Sequence, residues 1–226
     1  MPLLKLPNEL LFQIIDNLGS TQDITSCCQV NRRLNPVAKK HLYRYDVLQC
    51  GSSALLWAAA KGREQTVMMW LDAVGSLGER AYSEVLASAI LNAWRLVAQH
   101  GHVKVAQLLL DTGKVDIDSN DSGGLTPLSW AAENGHVEMV KLLLDTGKVD
   151  IEFVDTYYGW TPLSWAARAG HVKVVQLLLG TDKVDINRKD SYDRTPLLLA
   201  IENEHVEVAQ LLLDTGKVDI DSNDSG

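Results

Sequence analysis

Side chains able to do chemistry are few in this sequence, and the most conspicuous ones are evenly spaced. His102, His136, His171 and His205 recur at intervals of 34, 35 and 34 residues. Metal ligands on one helix need a spacing such as i, i+4, so these histidines read as one structural residue returning at successive helix starts. Asp118-Ser119-Asn120-Asp121-Ser122-Gly123 carries oxygens at positions 1, 3 and 5 and a glycine at 6, as in a calcium loop. Position 12 is Ser129, not glutamate, and Asp, Asn, Ser and Gly are what a turn requires in any case. Cys27 and Cys28 are adjacent, Cys50 stands alone, and no C-x-x-C pair occurs. That pattern suits neither a disulfide framework nor a zinc site, and the first two read as small core residues. G-x-S-x-G, H-E-x-x-H and the phosphate-loop motif are all missing. The expectation is a protein with no catalytic, cofactor or metal site. Trp130 and Trp165, matched upstream by Trp57, are expected to fill grooves between structural units rather than to bind a ligand.

Composition narrows the partners. The 226 residues are 46% hydrophobic and 22% charged, as in a folded chain, and the net charge is −8. An acidic chain without a dense Lys/Arg cluster is poorly suited to nucleic acid or to anionic lipid. No apolar run approaches the roughly 20 residues that span a bilayer, and the start reads as no signal peptide. Sparse, unpaired cysteines point to a reducing compartment, hence an intracellular protein of cytoplasm or nucleus.

The elements that carry these residues follow from internal repetition. Thr126-Pro127-Leu128-Ser129-Trp130-Ala131-Ala132 returns as Thr161-Pro162-Leu163-Ser164-Trp165-Ala166-Ala167, and Thr195-Pro196-Leu197 begins a third copy. Gly101-His102, Gly135-His136, Gly170-His171 and Glu204-His205 form a second marker. Leucine triplets at 108–110, 142–144, 177–179 and 211–213 form a third.

One unit can be built from its residues. Thr126 suits an N-cap and Pro127 the first helical position, where a missing N–H costs nothing. Ala131 and Ala132 permit close helix approach, and Gly135 ends the helix. A second helix is expected from about Val137 to Leu144, with Val137, Val140, Leu143 and Leu144 on one stripe. Gly147 is placed where a positive φ closes that helix, and a polar, turn-rich linker leads on. A lone helix pair cannot bury its apolar face, so the units must stack into a solenoid with a shared core.

The Thr-Pro-Leu, Gly-His and Leu-triplet markers closely resemble the ankyrin repeat, with Ser129 and Ser164 standing where that family usually has histidine. The resemblance covers roughly residues 52–226 in about five units. The first two, around Ala54–Gly62 and Asn92–Gly101, are degenerate. Gly62 and Gly101 lie 39 apart, which implies an insertion of about five residues within 72–91. Asp214–Gly226 repeats Asp111–Gly123, but no Thr-Pro-Leu helix follows it. The last unit therefore reads as incomplete, and the chain as a fragment of a longer array.

Residues 1–48 lack the repeat. Leu10, Leu11, Ile14, Ile15 and Leu18 line one helix, capped by Asn8 and ended by Gly19. Two further helical stretches follow, one opening at Ser20 and one over about 30–43. Leu6-Pro7-Asn8-Glu9-Leu10, continued by Asp23-Ile24 and Cys28 to Leu34, resembles an F-box, although many F-boxes have Trp where this chain has Leu34. The resemblance implies docking to a Skp-type adaptor of a cullin–RING ubiquitin ligase, with Leu6, Pro7, Leu10, Ile14 and Ile24 near the contact. The alternative is that the segment only caps the solenoid of an ankyrin scaffold.

The expected fold is thus all-α: a small three-helix F-box-like segment over 1–48, then an ankyrin solenoid of helix pairs over 49–226. The ankyrin resemblance places variable contact residues on the concave face, at linker tips and first-helix ends. Here these are Leu125, Glu133, Asn134, Tyr157, Tyr158, Trp160, Arg168, Tyr192, Arg194, Glu202 and Asn203. The aromatic and arginine residues among them are of the types that dominate protein interfaces. The expected function is non-catalytic: a monomer outside its complex, gripping a protein target of unread identity.

Overall fold

The computed structural model describes residues 52–75 and 84–219. The expectations for Leu6, Pro7, Leu10, Ile14 and Ile24, for the three cysteines and for the helices of 1–48 lie outside the described residues. Among the described residues every regular element is an α-helix. The chain divides between Ala93 and Trp94 into two compact units.

In the first unit α1 (Ser53–Lys61) packs against α2 (Glu64–Gly75). Ala58 and Ala59 let the helices approach, and Leu55, Val67, Trp70 and Ala73 are fully buried. Trp57 does not fill a groove as its sequence match suggested. It is 54% exposed, because it lies on the side of α1 away from this pair's core.

α3 (Glu84–His100) enters the second unit. Counted back 34 residues from its counterpart α5 (Pro127–Glu133), it would begin near 93. It begins at Glu84 instead, so part of the expected insertion lengthens this helix. α4 (Val103–Asp111) follows. Three pairs come next: α5 with α6 (Val137–Asp145), α7 (Pro162–Ala169) with α8 (Val172–Leu179), and α9 (Pro196–Glu202) with α10 (Val206–Asp214). First helices α5, α7 and α9 pack in one row, and second helices α4, α6, α8 and α10 in another.

The repeat markers explain the geometry. Thr126, Thr161 and Thr195 are N-caps whose hydroxyls accept from the N–H three residues on, at 3.2, 3.2 and 3.3 Å. Ser129 and Ser164 hydroxyls bond the first two of these threonines at 3.1 Å, a use for serine at the departure from the family pattern. Such caps are each worth about 1 kcal/mol. Gly147 has φ +67°, as its place after α6 requires.

In α6 the fully buried residues are Met139, Val140 and Leu143, whereas Val137 and Leu144 are only partly covered. Helices α4, α5 and α8 press on α6 from several sides. This shifts the buried stripe toward Met139 and leaves the two end residues at its margin.

The histidines do not cap their own helices. His136 and His171 tie their units to the ones before. His136 Nε2 bonds the Gln99 carbonyl at 2.9 Å, and His171 Nε2 bonds the Glu133 carbonyl at 2.9 Å. A carbonyl only accepts, so Nε2–H donates. Each ring lies over the glycine that ends the preceding first helix. A Cβ on Gly135 (φ +70°) would sit 2.6 Å from the His171 ring, and one on Gly170 2.5 Å from His205. The marker needs glycine for its positive φ and for the neighbour's ring at once. At the corresponding place in the last described pair, Glu204 holds φ +61°.

Candidate functional site

The tips between successive helix pairs are built on an aspartate that returns at 121, 155 and 190. Asp121 Oδ1 accepts the N–H groups of Gly123 and Leu125 at 2.9 and 3.0 Å, and Oδ2 accepts Trp130 Nε1–H at 3.2 Å. Asp155 accepts Tyr157 and Tyr158 N–H at 2.8 and 2.7 Å, with Trp160 N–H on Oδ2 at 3.1 Å. Asp190 accepts Tyr192 and Arg194 N–H at 2.7 and 2.9 Å. Its Oδ2 takes Trp160 Nε1–H at 2.6 Å and Arg194 Nε–H at 2.9 Å. Burial by itself would raise the Asp190 carboxyl. The hydrogen bonds from Trp160, from the Arg194 and Tyr192 backbone and from the Arg194 guanidinium outweigh it together and hold the pKa below its ordinary value.

Adjacent tips are stitched by backbone bonds. Thr156 N–H donates to the Gly123 carbonyl at 3.0 Å and Ser191 N–H to the Tyr158 carbonyl at 2.8 Å. A second row of polar residues crosses between units nearby. Asp118 oxygens accept Asp150 N–H at 3.1 Å, Glu152 Oε1 accepts Asp185 N–H at 3.1 Å, and Asn187 Oδ1 accepts Asp219 N–H at 2.9 Å. Burial, with neighbouring carboxylates adding to it, raises the pKa of Asp118 and Glu152. The carboxylates of Asp118 and Asp121 are thus engaged in inter-unit and turn bonds. Among the described residues no group of His, Cys, Asp and Glu is placed to hold a metal ion.

On this frame the eleven expected contact residues separate. Leu125, at 8% exposure, and Trp160, at 4%, are buried, contrary to their reading as surface contacts. Trp160 stacks on Tyr158 at 4.4 Å, meets the edge of Trp165 at 4.6 Å and bonds Asp190 in the next tip. It is the core of the tip layer. Asn134 and Asn203 are helix C-caps whose side-chain amides donate to the Trp130 and Leu199 carbonyls at 2.9 and 2.8 Å. Arg194 is locked by Asp190 at 2.9 Å and Glu202 at 3.4 Å, which also engages Glu202.

Five residues keep groups to offer. Tyr157 and Tyr192 are 65% and 64% exposed, and Tyr158 is exposed at one edge. The Tyr157 ring lies against Gly123, where a Cβ would come within 2.6 Å of it. Arg168 is exposed, with its guanidinium 5.2 Å from the Trp160 ring centre and 6.0 Å from that of Trp165. Glu133, at the end of α5, has its Oε2 buried without a hydrogen-bond partner. Burial raises its pKa, and the charge of Arg168 opposes this in part.

The tip aspartates were missed in the sequence. Their signal was present, an Asp five or six residues before each Thr-Pro, but aspartate is common enough in turns to pass unnoticed.

The site is therefore a row of rigid tips with projecting tyrosines, edged by first-helix ends that carry charge. Residues 85–155 and 147–224 match the family model for ankyrin repeats (3 copies). The chain belongs to the ankyrin-repeat family. Residues 3–49 match the F-box-like family, so an F-box-like segment precedes the repeats. Both are protein-interaction modules, and the protein acts through protein contacts. No helix among the described residues is long and apolar enough to cross a membrane.

Proposed function

We propose that the protein is a substrate receptor of a Skp–cullin–F-box type ubiquitin ligase, acting inside the cell in cytoplasm or nucleus. The F-box-like segment docks a Skp-type adaptor through Leu6, Pro7, Leu10, Ile14 and Ile24. The ankyrin stack holds the target on the surface formed by Tyr157, Tyr158, Tyr192, Arg168 and Glu133. The chain itself performs no transfer chemistry. It raises the effective concentration of the target beside the ligase subunits that do.

The observation that carries this reading is the joining of an F-box-like match to a repeat stack whose tips hold rigid, exposed aromatics. Exposed tyrosines on a braced frame offer large contact area at low entropic cost. The test is co-purification of the full chain with a Skp adaptor. Leu10→Asp with Ile14→Asp should abolish it while the stack's thermal unfolding stays unchanged. Binding that survives this double change sinks the ligase reading and leaves an ankyrin scaffold. Separately, proteins captured by the full chain should be lost on Tyr157→Ala with Tyr192→Ala. An unaltered set removes the tips as the target surface.

A further inference from the structure

Each unit of the stack receives its successor at three small residues. Gly101, Gly135 and Gly170 follow the first helices, and a Cβ on them would stand 2.7, 2.6 and 2.5 Å from the ring of the next unit's histidine. Gly124 and Gly159 lie in the tips, two residues before the threonine that starts each first helix. A Cβ on Gly124 would meet the Thr156 backbone nitrogen at 2.8 Å, and one on Gly159 the Ser191 Oγ at 3.0 Å. Ala98, Ala132 and Ala167, in the last turns of the first helices, are fully buried.

The last described pair differs at all three places. Asp193 stands for the tip glycines, Ile201 for the alanines and Glu204 for the helix-end glycines. Asp193 and Glu204 both keep the left-handed backbone, with φ +61°. The turns are therefore retained, and only the side chains are new. Ile201 is 54% exposed where its counterparts are covered. Val206 and Leu213 are exposed as well, but their counterparts Val137, Val172, Leu144 and Leu179 are only partly covered within the stack.

Packed interfaces leave no room for added carbons without displacement. A unit arriving in the geometry of the earlier ones would bring its histidine ring onto the Glu204 Cβ and its tip backbone onto the Asp193 Cβ. It would also meet isoleucine where alanine admits close approach. A ring and a backbone cannot turn aside as the end of a long side chain does.

We propose that the pair α9–α10 closes the stack: its outer face refuses a further unit in register. The copy of 111–123 at 214–226 pointed to a longer array, but a linker sets the path of the chain and not the fit of the faces. On the reading that the tips hold the target, the tyrosine-bearing surface ends at Tyr192. Closure of the stack does not depend on that reading.

The test extends the full chain past Gly226 by a copy of residues 124–152, which follows its own linker sequence there. One extended chain is otherwise wild type, and the other carries Asp193→Gly, Ile201→Ala and Glu204→Gly together. Hydrogen exchange read by mass spectrometry follows the added helices. In the wild-type extension their amides should exchange within about tenfold of an unfolded peptide, and in the triple variant at least about a hundredfold more slowly. Only in the latter should the extension raise the thermal midpoint, by about 4 °C. The converse change in the unextended chain, Gly159→Asp with Ala167→Ile and Gly170→Glu, should cut the protection of α9 and α10 about a hundredfold while α5 and α6 keep theirs. Protection of the added unit in the wild-type extension, or in neither extension, overturns the inference. Unchanged protection of α9 and α10 in the converse variant overturns it too, and if that variant unfolds throughout, the two extended chains decide. Capture of proteins through Tyr157 and Tyr192 is read separately and stands or falls without these results.

Discussion

The helix rows and the tips of this protein solve different problems with the same repeat. In the rows each residue serves its neighbour: Gly135 makes room for His171, and Gly170 for His205. Any change there is felt by two units, so the residues recur almost unchanged. In the tips one aspartate carries the frame and the remaining positions differ. Leu125, Trp160 and Arg194 stand just before each Thr-Pro and close the turn alike, each through its backbone N–H to the tip aspartate, so their side chains are left to differ. A recognition surface can vary only where the frame does not depend on it.

Breaking the rows should have the largest effect. Gly135→Val puts a β-branched residue at φ +70° and drives a Cβ into the His171 ring. Strain of about 1–2 kcal/mol and displaced packing of about 1–3 kcal/mol should combine to a loss of about 4 kcal/mol in chemical denaturation. A loss below about 1 kcal/mol would show that the ring moves freely and that the rows are not so tightly coupled.

Breaking a tip frame should cost less. Asp190→Asn replaces an acceptor oxygen by a donor facing Trp160 Nε1–H or the backbone N–H groups, and leaves Arg194 without its nearest carboxylate. A loss of about 2–3 kcal/mol is expected. Near-wild-type stability would mean that Trp160, rather than Asp190, holds the two tips together.

The smallest effect is electrostatic. Glu152 has a raised pKa in the fold, so the folded state holds its proton more tightly than the unfolded chain does. Its ionisation therefore costs stability above the ordinary glutamate range, and acidification toward that range restores it. Asp190 is opposite in sign: its contribution is present above the ordinary aspartate value and is lost as pH falls through its lowered pKa. Thermal unfolding of Glu152→Gln, which keeps an acceptor for Asp185 N–H, should show a smaller gain than the wild type on mild acidification. An identical pH profile would remove Glu152 as a contributor.

The sequence by itself determined the repeating helix pair, because period, caps and glycines are local or recur at fixed phase. Thr126-Pro127 states a helix start in two residues, and Gly147 states an end in one. It also pointed to the aromatic tips at 157–160 and 192 as places where regularity fails. Which tip residues face outward was settled only by tertiary structure. Trp160 and Tyr158 are two residues apart and both aromatic, yet only Trp160 is covered, because Asp190 and Arg194 of the next tip close over it. Burial there is a property of the neighbouring unit. No pattern within one tip can specify it, and so the stacking of the units alone decides which five of the eleven expected residues keep groups to offer.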